Sequence, residues 1–114
     1  MSSAIPNRKP EIVRLLELLS SEEKQLAYER AVPYVDVTDE LVCMWFNDLY
    51  RPENALFRSW FTADELAAVA EFHRFYDERA KQLPKSQGTV RTWLANPVWR
   101  EIMIKAQETL LRLA

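Results

Sequence analysis

Residues 60–83 read WFTADELAAVAEFHRFYDERAKQL, and the fold class turns on how this stretch is understood. Thr62 followed three residues later by Glu65 forms a capping box, in which each side chain satisfies a backbone N–H that the first helical turn leaves unpaired. Phe61 before the cap and Leu66 behind it stand where a hydrophobic staple closes, fixing the entry angle of the chain. Leu66, Val69, Phe72, Tyr76, Ala80 and Leu83 then recur every three or four residues, and at roughly 100° per residue they share one apolar stripe. The stretch predicts a helix of about twenty residues.

Downstream, Pro84 to Gly88 is the clearest loop signal in the chain. Thr89 to Ala95 predicts a helical turn burying Val90, Trp93 and Leu94. Asn96 and Pro97 are a cap followed by proline at the first helical position, where its missing N–H costs nothing. Trp99, Ile102, Ala106, Leu110 and Leu113 stripe a final helix. Upstream, Arg51 to Asn54 turns the chain, and Pro52 is placed to open a short helix carrying Leu56, Phe57 and Trp60. Before that turn, Thr38 predicts the cap of a helix from Asp39 to Tyr50, with Asp39 and Glu40 in the first turn where the dipole favours acids. Leu41, Val42, Cys43, Met44, Trp45, Phe46, Leu49 and Tyr50 make this helix apolar around most of its circumference, which places it centrally. Met1 to Lys9 is expected to be a loose leader, and Pro10 opens a helix striped by Ile12, Leu15, Leu16 and Leu19. Ser20 with Glu23 makes a second capping box and predicts a new helix toward Ala31; one longer helix through both serines is the alternative. Pro33 ends that element and leaves Val32 to Val37 as an extended connection. The expected architecture is all-α: one domain over residues 1–114, a bundle of five or six helices with no sheet.

Length and composition narrow the function classes. A chain of 114 residues with 48% apolar and 28% charged content is long enough to bury a core without metal or disulfide staples. One glycine, Gly88, argues against hairpins and phosphate-cradling loops. A lone Cys43 has no internal disulfide partner and is expected to be a small buried hydrophobe. Polar residues with Pro6 and Pro10 near the start do not resemble a secretory signal, and no run approaches 18 apolar residues, so a cytoplasmic location without membrane contact is expected. Charge is segregated. Residues 36–78 carry ten acids against three bases, a net −7, whereas residues 79–114 carry seven bases against two acids, a net +5. Such asymmetry either draws neighbouring helices together or presents a field to a partner.

Chemistry-bearing constellations are sparse. His73, the single histidine, sits four residues before Asp77 on one helix, which fits a boundary histidine held by a neighbouring acid better than a general base. No local motif supports a dyad with Cys43. One histidine and one cysteine exclude thiolate–imidazole zinc sites, and the acids at Asp36, Asp39 and Glu40 lack the ligand spacing and glycine of a calcium loop, so no metal or cofactor is expected. The basic final third interleaves Lys85, Arg91, Arg100 and Lys105 with Trp93 and Trp99, the residue types of a nucleic-acid surface; the acidic total and the tryptophans' place beside packing leucines weigh against it. A protein-binding surface has more specific support. Asp64, Glu71 and Glu78 recur every seven residues opposite Val69 and Tyr76, with Phe75 beside them, an arrangement suited to a basic partner. Ordinary intrahelical pairs of Glu71 and Glu78 with Arg74 are the structural alternative. The acids Asp36, Asp39 and Glu40 extend the candidate partner-binding set.

The run Phe57-Arg58-Ser59-Trp60-Phe61-Thr62, with Glu65-Leu66, Phe72 and Phe75, resembles small acidic helical immunity proteins of bacterial contact-dependent growth-inhibition systems, over about a third of the chain. The resemblance implies a non-enzymatic antitoxin-like inhibitor. Its partner would be a toxin that enters the cytoplasm, commonly a basic nuclease domain, neutralised by tight stoichiometric binding, with no catalytic residue. A nucleic-acid-binding helical domain is the alternative function. Partner identity and oligomeric state are not legible at this level.

Overall fold

The computed structural model describes residues 7–84 and 89–113. Among them are seven α-helices, one π-helical segment and no strand, so the chain is all-α. The helix count exceeds five or six because two short elements, α4 (Ala55–Ser59) and α6 (Val90–Leu94), are each closed by a cap of their own. Asn54, not Pro52, starts α4: its side chain accepts from the Leu56 N–H at 2.8 Å. Thr89 starts α6 by accepting from the Thr92 N–H, and Val90, Trp93 and Leu94 are buried as their spacing predicts.

α1 (Lys9–Leu19) has Pro10 in its first turn and buries Ile12, Leu15, Leu16 and Leu19. α2 (Glu22–Ala31) is a separate helix, which removes the single-helix alternative. Its cap, however, is Ser21 and not Ser20. Ser21 has the extended backbone an N-cap needs and accepts from the Lys24 N–H at 3.1 Å, while the Ser20 hydroxyl turns back to the Glu17 carbonyl. α3 (Val37–Cys43), by contrast, starts earlier than expected. Asp36 caps it by accepting from the Asp39 N–H, and Thr38 lies buried in the first turn, donating to Asp36 Oδ1 at 2.6 Å. A carboxylate at that position satisfies an open N–H and also meets the positive end of the dipole, which a hydroxyl does not.

The helix expected over Asp39 to Tyr50 is α-helical only as far as Cys43. Met44–Leu49 is π-helical, and the Tyr50 N–H reaches the Trp45 carbonyl five residues back at 3.1 Å. The wider turn sets Trp45 and Tyr50 face to face, 5.1 Å between centroids and 10° from parallel, while Phe72 meets Trp45 edge-on. Aromatic packing on several sides at once offsets the poorer geometry of the π turn.

α5 (Ala63–Ala80) carries the full capping box. Thr62 N–H donates to Glu65 Oε1 at 2.9 Å, and Glu65 N–H to Thr62 Oγ1 at 3.1 Å. Ala68, Val69, Phe72 and Tyr76 are buried, Leu66 and Ala80 half-buried; Leu83 is buried too, although the helix stops at Ala80. α7 (Pro97–Leu113) starts at Asn96, whose side chain accepts from the Val98 N–H at 2.8 Å, and it makes the most extensive packing contacts of any helix, with α5 and with α1. Lys85 to Gly88 of the expected loop and the first six residues of the expected leader lie outside the described residues.

One buried polar side chain ties this arrangement together. Gln25 is fully buried. Its Nε2 donates to the Leu18 and Leu19 carbonyls at the end of α1, and its Oε1 accepts from Trp99 Nε1 of α7 at 3.0 Å. Replacing Gln25 with Leu strands an indole donor and removes the side-chain partner of two carbonyls, which is expected to lower stability by about 1–3 kcal/mol. Adding Trp99→Phe should cost less than the sum of the two single changes, because both break one hydrogen bond. Urea midpoints of the four proteins in that cycle check the coupling.

Candidate functional site

The acidic row on α5 is largely engaged by the molecule's own bases. Glu71 is ion-paired with Arg112 of α7. The hydrogen bond from Arg112, then the charges of Arg112 and Lys105, hold the Glu71 carboxyl below the usual glutamate range. Glu78 lies 3.6 Å from Arg79, whose Nε donates to Glu101 of α7 at 3.2 Å. Phe75 is half-buried beneath the Arg79 guanidinium at 4.2 Å, with Lys105 on the same ring at 5.8 Å. Asp64, in the first turn, is exposed. Phe75 thus lies beneath Arg79 and not open as expected, and Glu71 meets Arg112 of the final helix, whereas Glu78, with its side chain 70% exposed, and Asp64 remain at the surface.

The second acidic set differs. Asp36, Asp39 and Glu40 open α3, and the π segment adds Asp48 close by. Among the described residues, Asp39, Glu40 and Asp48 enter no ion pair. Their combined field is felt at Cys43. Burial pushes that thiol up, and the charges of Asp39, Glu40 and Asp48 push it further in the same direction. Cys43 is half-buried, not the buried hydrophobe expected, and its Sγ lies 3.9 Å from Asp39 Oδ2 as a weak donor. A thiol held protonated in this way is a poor nucleophile. The turn before α3 adds an aromatic to the same surface, because Tyr34 is 96% exposed and Val35 44%.

His73 is held by an indole and not by an acid. Trp45 Nε1 donates to His73 Nδ1 at 3.2 Å, and the imidazole stacks on Tyr50 at 4.4 Å with Phe46 tilted against it. Burial lowers its pKa, against the pull of Asp77 and with the push of Arg74. Cys43 and His73 thus have separate partners, and no hydrogen bond joins them. Among the described residues no group of three or more His, Cys, Asp or Glu is placed to hold a metal ion.

Among the described residues, the tryptophans of the basic third are not open for stacking. Trp93 and Trp99 are both core residues, in contact at 4.6 Å between centroids. Arg100 donates to the Leu94 carbonyl and lies 3.6 Å from Glu22 of α2. Sequence reasoning missed Asp48, Tyr34 and the role of Trp93. Asp48 becomes part of the acidic surface only through a π turn that no local motif announces. Tyr34 was legible as a member of an extended connection, but its exposure was not.

Two concavities flank the acidic surface. A shallow groove of about 320 Å³ is lined by Leu15, Leu18, Tyr28, Met44, Asp48 and Leu49, with Arg8, Glu11 and Arg14 of α1 beside them. A smaller cleft of about 140 Å³ opens where α3, the end of α5 and α6 meet. No family model, no curated protein and no solved structure matches this chain. Among the described residues no helix is long and apolar enough to cross a membrane.

The His73 environment makes a pH prediction. With the folded pKa depressed below the ordinary 6.5, the folded chain resists a proton that the unfolded chain accepts. Stability is full above pH 6.5 and is lost as pH falls through the lower folded value, where a proton on Nδ1 would face the Trp45 N–H. Urea midpoints followed from pH 7.5 down to about 5 should show this step, and His73→Gln should lack it. A midpoint that does not fall over that window, or falls equally in the variant, rules out His73 as its source.

Proposed function

We propose that the chain is a non-enzymatic protein-binding module for a basic partner, most specifically an immunity or antitoxin-like inhibitor that neutralises a toxin in the cytoplasm by tight binding. The observation that carries this reading is the surface at the start of α3. There Asp39, Glu40 and Asp48 form no ion pair among the described residues, and the 96% exposed Tyr34 stands two residues before the cap of α3. An aromatic flanked by unneutralised acids supplies both halves of an interface. The aromatic gives apolar contact area at low conformational cost, and the acids steer and orient a basic partner. The site therefore combines Asp36, Asp39 and Glu40 of the original set with Tyr34 and Asp48. Asp64 and Glu78 remain exposed on α5, whereas Glu71 is paired with Arg112 and Phe75 is covered by Arg79. The protonated Cys43 and the indole-bound His73 support a binding role over a catalytic one.

The test is co-expression with the product of the adjacent reading frame, followed by co-purification and titration calorimetry. Tyr34→Ala is expected to weaken the complex by about 2 kcal/mol, roughly thirtyfold. The double reversal Glu40→Lys with Asp48→Lys should slow association and flatten its salt dependence, with thermal stability little changed. A complex indifferent to all three substitutions would remove this surface from the interface.

A further inference from the structure

α7 has two faces, set by 3.6 residues per turn. Trp99, Ile102, Ala106 and Leu113 are buried, whereas Pro97, Arg100, Ile104, Glu108 and Leu111 share the exposed side. Pro97, Ile104 and Leu111 recur at seven-residue intervals, so three apolar residues stand in one line along the outside of the helix. Ile104 is 61% exposed and Leu111 70%; besides Tyr34, no large apolar side chain among the described residues is as open. Ile104 also borders two hollows at once. One, of about 340 Å³, is bounded by Ser20 at the end of α1 and by Met103, and the other, of about 220 Å³, by Phe75 of α5. Leu111 borders a third, against Val13 of α1. A ridge of apolar side chains between depressions is the relief into which another helix packs, and a seven-residue repeat is the period of such a seam.

The charges beside this line decide what it fits. Arg100 lies four residues before Ile104 and Glu108 four residues after it, with side chains 45% and 61% exposed. Arg100 Nε is taken by the Leu94 carbonyl, but its terminal nitrogen is 3.6 Å from Glu22. Glu108 is 3.8 Å from Lys105. Neither separation is a hydrogen bond, so both groups keep capacity for a closer partner. A two-fold axis that sets Ile104 against its own copy, with the helices antiparallel, brings Pro97 to Leu111 and Arg100 to Glu108, each contact occurring twice. A parallel pairing would instead set Arg100 against Arg100 and Glu108 against Glu108, and like charges oppose it. In one orientation, then, this face is complementary to itself: apolar at the centre and both ends, with opposite charges between.

We infer that α7 is a dimerisation helix: two copies of this chain pair antiparallel along Pro97, Ile104 and Leu111, with Ile104 on the two-fold axis. The face shares no residue with the α3 surface, so the inference stands apart from the partner-binding reading. A seam one helix wide is at the small end of specific interfaces, and self-association in the micromolar range is expected. Sedimentation equilibrium of the purified chain at concentrations up to about 500 μM should show the dimer. Ile104→Glu and Ile104→Lys should each be monomeric, because like charges would face each other across the axis. An equimolar mixture of the two should recover a dimer holding one of each, a rescue that requires position 104 to meet its own copy. Glu108→Arg, which turns two attractions into two repulsions, should weaken the dimer about tenfold. Thermal melts of the monomeric variants should match one another, since both positions are exposed. A parent chain that stays monomeric, a dimer that survives Ile104→Glu, a mixture that stays monomeric, or an unweakened Glu108→Arg dimer would each overturn the inference. Loss of the co-expressed partner in Ile104→Glu, with the free chain monomeric, would overturn it too and give this face to that partner.

Discussion

The Gln25 side chain joins three helices through one buried amide, and the placement of the rest follows from it. Two carbonyls at the end of α1 are satisfied by its nitrogen, and the Trp99 indole near the start of α7 by its oxygen. A buried amide with every bond made rigidifies its surroundings, whereas one left half-paired would destabilise them. Fixing Trp99 in this way sets the azimuth of α7 between α1 and α5. Ile102, Ala106 and Leu113 then face inward, and Arg112 is brought over Glu71. At the N-terminal end of α5, Lys9 Nζ meets Glu65 Oε2 at 2.8 Å, so the carboxylate that closes the capping box also ties α5 to α1.

The π-helical segment has a second, local consequence. Its wide turn stacks Trp45 on Tyr50, and Tyr50 in turn covers His73, which accepts from the same Trp45. Tyr76 completes the contact from α5 by donating its buried hydroxyl to the Leu41 carbonyl at 3.1 Å. Burial raises the pKa of that phenol, so it remains a neutral donor. Aromatic area, one indole bond from the π segment and one phenol bond to α3 thus hold this stretch to α5, and the polar residues Asn47 and Asp48 are left at the surface.

Legibility followed the number of competing local solutions. Thr62, Thr89 and Asn96 each had no rival cap next to them, and each caps its helix as the sequence indicates. Ser20 stood beside Ser21, and Thr38 two residues after Asp36, and the cap moves one residue forward at the first place and two residues back at the second. Ile12, Leu15, Leu16 and Leu19 were readable because polar residues on the other faces gave the stripe a phase. From Leu41 to Tyr50 the apolar residues surround the axis, no phase exists, and nothing local separates 3.6 residues per turn from a wider coil. The seven-residue recurrence of Asp64, Glu71 and Glu78 was real, but whether those acids faced water depended on where α7 lay. That placement is set by Gln25 and Trp99, 74 residues apart in sequence, beyond the reach of any window-based pattern.

The same long-range packing decides where negative charge is left over. Arg79, Arg100, Lys105 and Arg112 are drawn to Glu78 and Glu101, Glu22, Glu108 and Glu71 respectively. These pairs are mostly solvent-exposed, and each contributes little to stability. Their larger effect is on the field. These bases are held beside carboxylates on α2, α5 and α7, and at physiological salt exposed charges more than about 8 Å apart are largely screened from one another. Glu71 and Glu78 of α5 thus have bases beside them, whereas Asp39, Glu40 and Asp48 form no ion pair among the described residues. That remaining charge adds to burial in raising the pKa of the Cys43 thiol, and it follows closely in sequence on the exposed Tyr34.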